Sequence, residues 1–218
     1  MAQEPADKPF WVVEDGKILF FDANGYETDT YQCGEASITE LDLNSDGYEE
    51  LIVTLKRNST GVLLHSMVIF DGNRVFSYVD SLYSGIVAPE VDYHLELNSF
   101  VIICGNPVMD SVFLAKGSRG SYNPLRYFVY DGEQLPDISA DLYEDFSRTN
   151  EMLIEMLTGQ FNDDLYICET SVRIFGTVIT IVLNYIASEE KALAQKYFEK
   201  FYNCPDKQQI FIKIQELF

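Results

Sequence analysis

Met67-Val-Ile-Phe-Asp71-Gly72-Asn-Arg-Val-Phe76 sets an apolar run, an Asp-Gly pair and a second apolar run in succession, and this pattern decides the fold. Trp11-Val-Val-Glu-Asp15-Gly16-Lys-Ile-Leu-Phe20 and Tyr127-Phe-Val-Tyr-Asp131-Gly132-Glu-Gln-Leu135 repeat it. The runs are rich in Val, Ile, Phe and Tyr, which suit a pleated and partly buried surface. Asp-Gly suits a type I′ turn, because both central positions there need a positive φ. Each repeat therefore reads as a β-hairpin. Asn24-Gly25 and Leu97-Asn98-Ser99 read as further hairpin turns.

Working outward, the chain changes character near residue 138. Before it, hairpin punctuation is frequent; after it, apolar residues recur at helical spacing. Residues 1–9 are a polar stub, 10–138 a β-rich domain and 139–218 a helical subdomain. The Asp-Gly pairs lie 56 and 60 residues apart, close to the length of a propeller blade. About ten short strands are visible, too few for four blades of four. The expected fold is therefore α+β: open, propeller-like antiparallel meanders, not a closed propeller, followed by helices. Those helices are expected over Ser139–Thr158, ending at Gly159, over Asp164–Ala187, from an N-cap at Ser188 to Phe201, and from Pro205 onward. The β-branched run Thr177-Val-Ile-Thr-Ile-Val182 would equally suit a buried strand.

Composition narrows the function. The 218 residues carry 35 acids and 15 bases, a formal net charge of −20. Residues 1–138 hold 22 acids against 8 bases, so the excess acid lies mostly in the β half. Nucleic acid needs clustered Lys and Arg on the protein, and none cluster here. The longest apolar run, Ile174–Leu183, is too short to span a membrane, so no membrane insertion is expected. A cation is the partner such a surface attracts. Cys33, Cys104, Cys168 and Cys204 form no metal-binding motif; Cys104 and Cys168 read as small buried hydrophobes.

One stretch carries chemistry: Asp42-Leu-Asn44-Ser-Asp46-Gly47-Tyr48-Glu-Glu50-Leu-Ile-Val53. Side-chain oxygens fall at loop positions 1, 3 and 5, glycine at 6, a carbonyl at 7 and an acid at 9. Alternate residues can point inward around a hard cation while Gly47 permits the sharp turn. Asp42, Asn44, Asp46, the Tyr48 carbonyl and Glu50 would supply about five oxygens, and calcium suits them better than magnesium, which demands a stricter octahedron. It is not an EF-hand, since Val53 stands where the bidentate Glu belongs and strands flank the loop. The alternative is a metal-free turn whose Asx side chains cap backbone amides.

These residues resemble the FG-GAP/VCBS-type calcium-loop repeat of integrin-like propellers and of exported proteins of Gram-positive anaerobes. The likeness covers residues 38–78 and not the helical tail. It implies a structural calcium held by Asp42, Asn44, Asp46, Tyr48 and Glu50, and a domain that binds protein or glycan. Without a Glu at position 12, affinity would be modest, on the order of 10⁻⁴–10⁻³ M as in extracellular modules. The polar start Met1–Pro9 carries no leader; on the likeness, the expectation is an exported or surface-associated protein whose leader is missing here, the alternative a true cytoplasmic start.

Catalytic signals are thin. His65 and His94 lie in strand-like runs, and no GxSxG, HExxH or GxxxxGK[ST] occurs. Gly117–Pro124 reads as a surface loop, and Asp163/Asp164 and Glu189/Glu190 as helix-start charges. No catalytic residue is expected, and the reading is a noncatalytic, calcium-stabilised binding module. A glycan or peptide hydrolase is one alternative. An acidic cytoplasmic interaction or immunity-like protein is the other.

Overall fold

The structure is a computed structural model that describes residues 8–111, 125–160 and 172–216. The expectations on most of the N-terminal stub, on Gly117–Pro124, Asp163/Asp164 and Cys168, and on a helix start at Asp164 lie outside those residues. Among the described residues the fold is α+β, with three open antiparallel sheets and four helices in the C-terminal part. The strands are β1 (Phe10–Glu14), β2 (Lys17–Phe21), β3 (Glu27–Gln32), β4 (Ala36–Leu41), β5 (Glu50–Ser59), β6 (Val62–Asp71), β7 (Ser77–Gly85), β8 (Glu90–His94), β9 (Ser99–Gly105) and β10 (Leu125–Phe128). They form sheets of order β1-β2-β3, β4-β5-β6-β7 and β10-β9-β8. The helices are α1 (Tyr143–Gln160), α2 (Val172–Ala187), α3 (Lys191–Phe201) and α4 (Lys207–Gln215). Two compact units result, one of Met1–Cys104 with Phe128–Pro136, the other of Gly105–Tyr127 with Asp137–Phe218.

In the first unit the four-stranded sheet is covered on both faces. Leu51, Val53, Val68 and Phe70 pack with Ile18 and Phe20 of β2 on one side. Ile52, Met67, Ile69 and Leu82 pack with Ile102, Cys104, Phe128, Tyr130 and Leu135 on the other. That explains why Leu51–Val53 and Met67–Phe70 are apolar without alternation: every side chain finds a core. Each fully buried aliphatic or aromatic side chain contributes roughly 1.5–3 kcal/mol.

The turns differ from expectation in an instructive way. Asp15 (φ +50°) and Gly16 (φ +72°) form the type I′ reversal that pairs Glu14 with Lys17. At the second Asp-Gly pair neither residue has a positive φ; the Asp71 carboxylate accepts the Asn73 N–H at 2.8 Å and the reversal runs on to Arg74 (φ +66°). At the third, only Gly132 does (φ +99°), while Asp131 Oδ1 accepts from the Glu133 and Gln134 amides. β5 and β6 remain paired out to Ser59 and Val62, so Thr60-Gly61 is the whole turn between them.

The second unit buries α2 on nearly all sides, through Phe175, Val178, Ile179, Ile181, Val182, Leu183 and Tyr185. Thr177–Val182 is helical despite its β-branched residues, since burial outweighs the small propensity cost. Ser188 does not cap α3. Its hydroxyl donates to the Asn184 carbonyl at 2.8 Å, Glu189 adopts φ +62°, and Glu190 takes the N-cap position. Two buried amides join α1 to α2: Asn150 Nδ2 donates to the Ile181 carbonyl at 3.2 Å, and Asn184 Nδ2 donates to Asn150 Oδ1 at 3.0 Å. Asn150→Ala leaves the Asn184 donor buried and unmatched, so the expected cost is about 2 kcal/mol in urea melts. A cycle with Asn184→Ala should be non-additive by about 1 kcal/mol. Simple addition would mean the amides act independently. No helix of the described residues is long and apolar enough to cross a membrane.

Candidate metal centre

The acidic loop joins β4 to β5 within the first unit. Its oxygens are occupied as follows. Asp42 Oδ1 accepts the Asp46 N–H at 3.1 Å and Oδ2 the Gly47 N–H at 3.0 Å. Asn44 Oδ1 also accepts from the Asp46 amide, at 3.1 Å, while its Nδ2 donates to Asp46 Oδ2 at 3.2 Å. Asp46 Oδ1 accepts the Tyr48 N–H at 2.8 Å. Positive φ at Ser45 (+62°) and Gly47 (+90°) folds the backbone into this set of Asx turns. Tyr48 is exposed.

Glu50 differs from the other four. It begins β5, is fully buried, and accepts the Leu43 N–H on Oε2 at 2.7 Å. Its Oε1 is buried with no hydrogen-bond partner. Burial is the main force raising its pKa, to about 7; the Leu43 amide opposes this, and the charges of Asp46, Asp71 and Asp42 add to it.

Two residues that sequence reasoning had assigned only to a hairpin or the core join this site. Continued one residue past its last pair, Leu51 with Phe70, the register brings Asp71, at the end of β6, opposite Glu50, and the Asp71 charge is felt at Glu50. Opposed residues share a sheet face, so both carboxylates lie on the face that carries Ile52 and Ile69. Tyr130 packs in that same core, and its phenol is pushed up to about 12 by burial first and then by the charges of Asp71, Glu50, Asp46 and Asp131. Both later Asp-Gly turns abut the loop. A Cβ on Gly72 would collide with the Glu49 carbonyl oxygen, and one on Gly132 would lie 3.4 Å from Asn44 Nδ2. The hairpin register could have revealed Asp71: once Thr60-Gly61 is the turn, counting back along both strands brings it opposite Glu50.

The donor chemistry fits a hard cation. Every side-chain group except the Asn44 amide nitrogen offers oxygen, and Glu50 Oε1 is a buried acceptor with nothing to accept. Among the described residues, no three Asp, Glu, His or Cys side chains converge closely enough to hold a metal, because the loop carboxylates are turned to backbone amides.

The histidines stand apart from this cluster. His65 is buried on β6, opposite Lys56, and burial followed by the Lys56 charge lowers its pKa. His94 Nδ1 accepts the Leu97 N–H at 3.3 Å in the β8–β9 turn. Comparison of the chain with family models, with curated proteins and with solved structures finds no match.

Proposed function

We propose that the protein is a noncatalytic binding module of the FG-GAP/VCBS type, exported or surface-associated, whose β unit is stabilised by calcium at the loop Asp42–Glu50. Asp42, Asn44, Asp46, the Tyr48 carbonyl and Glu50 are its ligands, and its partner is a protein or a glycan. The observation that carries this reading is Glu50 Oε1, a fully buried carboxylate oxygen with no donor beside an acidic loop. Burying an ionised carboxylate without compensation is expensive, and a bound cation supplies that compensation.

The test is calorimetric titration of calcium into chelator-treated protein, with thermal melts of wild type and Asp46→Ala alongside. Calcium should bind with a Kd on the order of 10⁻⁴–10⁻³ M and raise the melting temperature of wild type. Asp46→Ala should remove both effects. The amide-capped loop favours a second reading, an acidic cytoplasmic interaction protein that needs no metal there. No heat and no shift in wild type would select it.

A further inference from the structure

We infer that the second unit binds a free amino acid with an aliphatic side chain, in a cavity at the C-terminal end of α2 where Glu189 holds the ligand's ammonium group. The cavity measures about 430 Å³, within the usual range of small-molecule sites, and the residues that line it all belong to that unit. Leu125, Leu183 and Ile186 give it an apolar lining. The charged residues around it are of both signs, Arg126 and Lys191 against Asp137 and Glu189. Arg126 Nε and Nη2 donate to Asp137 Oδ2 at 3.0 and 2.8 Å, so that carboxylate is matched. Glu189 is not. Among the described residues no hydrogen bond or ion pair engages its carboxylate. Its backbone conformation is strained as well. α2 ends in a Schellman turn, in which the Glu190 N–H donates to the Tyr185 carbonyl at 2.7 Å and the Glu189 N–H to the Ile186 carbonyl at 3.0 Å. Glu189 occupies the left-handed position of that turn, at φ +62°, where glycine is the unstrained residue. A charged side chain is thus kept at a strained position beside a cavity, with no described contact that serves the fold, and such outliers gather at ligand sites. The negative end of the α2 dipole lies at the same place and favours an ammonium ion. Lys191 favours a carboxylate. A zwitterion with an aliphatic body answers both charges and the apolar lining together.

The test is calorimetric titration of L-leucine into the full chain, with thermal melts alongside. Two further probes each lack one charge: 4-methylpentanoate has no ammonium group and L-leucinamide no carboxylate. L-leucine should bind with a Kd on the order of 10⁻⁴ M, and each analogue about tenfold more weakly or worse. Glu189→Gln keeps the side chain and its strain but not the charge. It should weaken L-leucine binding about tenfold at an unchanged melting temperature. Glu189→Gly should weaken binding as much while raising the melting temperature, because the turn is relaxed. No heat and no shift with L-leucine overturn the inference and leave the calcium reading of the first unit untouched. Wild-type affinity in Glu189→Gln overturns it too, as does a lowered melting temperature in Glu189→Gly, which would mean that the glutamate serves the fold. Equal binding of 4-methylpentanoate would make the cavity a site for apolar acids, and equal binding of L-leucinamide a site for amines or a peptide amino terminus; either result overturns it.

Discussion

Alanine at Gly72 is expected to cost far more stability than alanine at any glycine held by its φ alone. The new methyl would lie inside van der Waals contact of the Glu49 carbonyl oxygen and 3.3 Å from both the Glu49 carbonyl carbon and Phe76 Cε1. The obstacle is backbone. It belongs to the residue that enters β5, so relief requires separating the β6–β7 turn from the loop or shifting strands that are buried on both faces. Overpacking of this kind costs about 3 kcal/mol, a large share of the stability of a single domain. Gly61→Ala supplies the contrast: at φ +83° its methyl meets nothing within 4 Å, so only backbone strain of about 1 kcal/mol is expected. Urea midpoints of the two variants, at unchanged slope, make the comparison. Equal losses would show that the Gly72 turn relaxes freely and that its closeness to the loop is not enforced.

That contrast also shows what the sequence could and could not reveal. The apolar runs and Asp-Gly punctuation made open β meanders legible, because hairpin chemistry is local. The helices were legible from periodicity, even at Thr177–Val182, where propensity pointed both ways. What stayed hidden was the reason for the glycines. Asp15-Gly16 needs its glycine for φ, whereas Gly72 needs its own for space, and a two-residue pattern cannot distinguish these. The loop Asp42–Glu50 was visible because its spacing is contained in nine residues. Asp71 and Tyr130 were not, since their nearness to Glu50 depends on strand register and on the packing of one sheet over another. Helix ends were misplaced at Ser188, where a hydroxyl that could cap the next helix bonds back to the preceding one.

Glu50→Gln is expected to stabilise the metal-free protein at pH 8 and to remove most of a falling pH dependence. The sign follows from proton counting. In the unfolded chain Glu50 titrates near 4.5; in the fold, burial holds it near 7. Below pH 4.5 both states are protonated and the group contributes nothing. Between 4.5 and 7 the unfolded chain releases a proton that the fold retains, so stability falls by roughly 1.4 kcal/mol per pH unit. Above 7 the loss saturates at about 3 kcal/mol. Asp137, whose pKa is lowered by Ser139 and Arg126 against the effect of burial, works in the opposite direction. It supports the fold above its ordinary range and loses that support as pH falls through the folded value. His65, whose pKa is lowered by burial and then by Lys56, also opposes Glu50, since below pH 6.5 the unfolded chain takes up a proton that the fold resists. Wild type without metal should therefore weaken toward pH 8 by the Glu50 contribution less that of His65. Glutamine cannot ionise, and its amide can accept from Leu43 while donating toward the carboxylates of Asp46 and Asp71. Its urea midpoint should lose the fall between pH 5 and 7 that Glu50 causes, leaving the rise with pH below 6.5 due to His65 and the slope from the general repulsion of a −20 chain. Calcium sharpens the comparison, since a cation beside Glu50 favours the ionised form. Millimolar calcium should flatten the wild-type slope and leave that of Glu50→Gln unchanged. Parallel pH profiles for the two proteins without metal would mean that Glu50 ionises in the fold as easily as in water. In that case its buried oxygen has a donor, and the strongest support for a cation at this loop is gone.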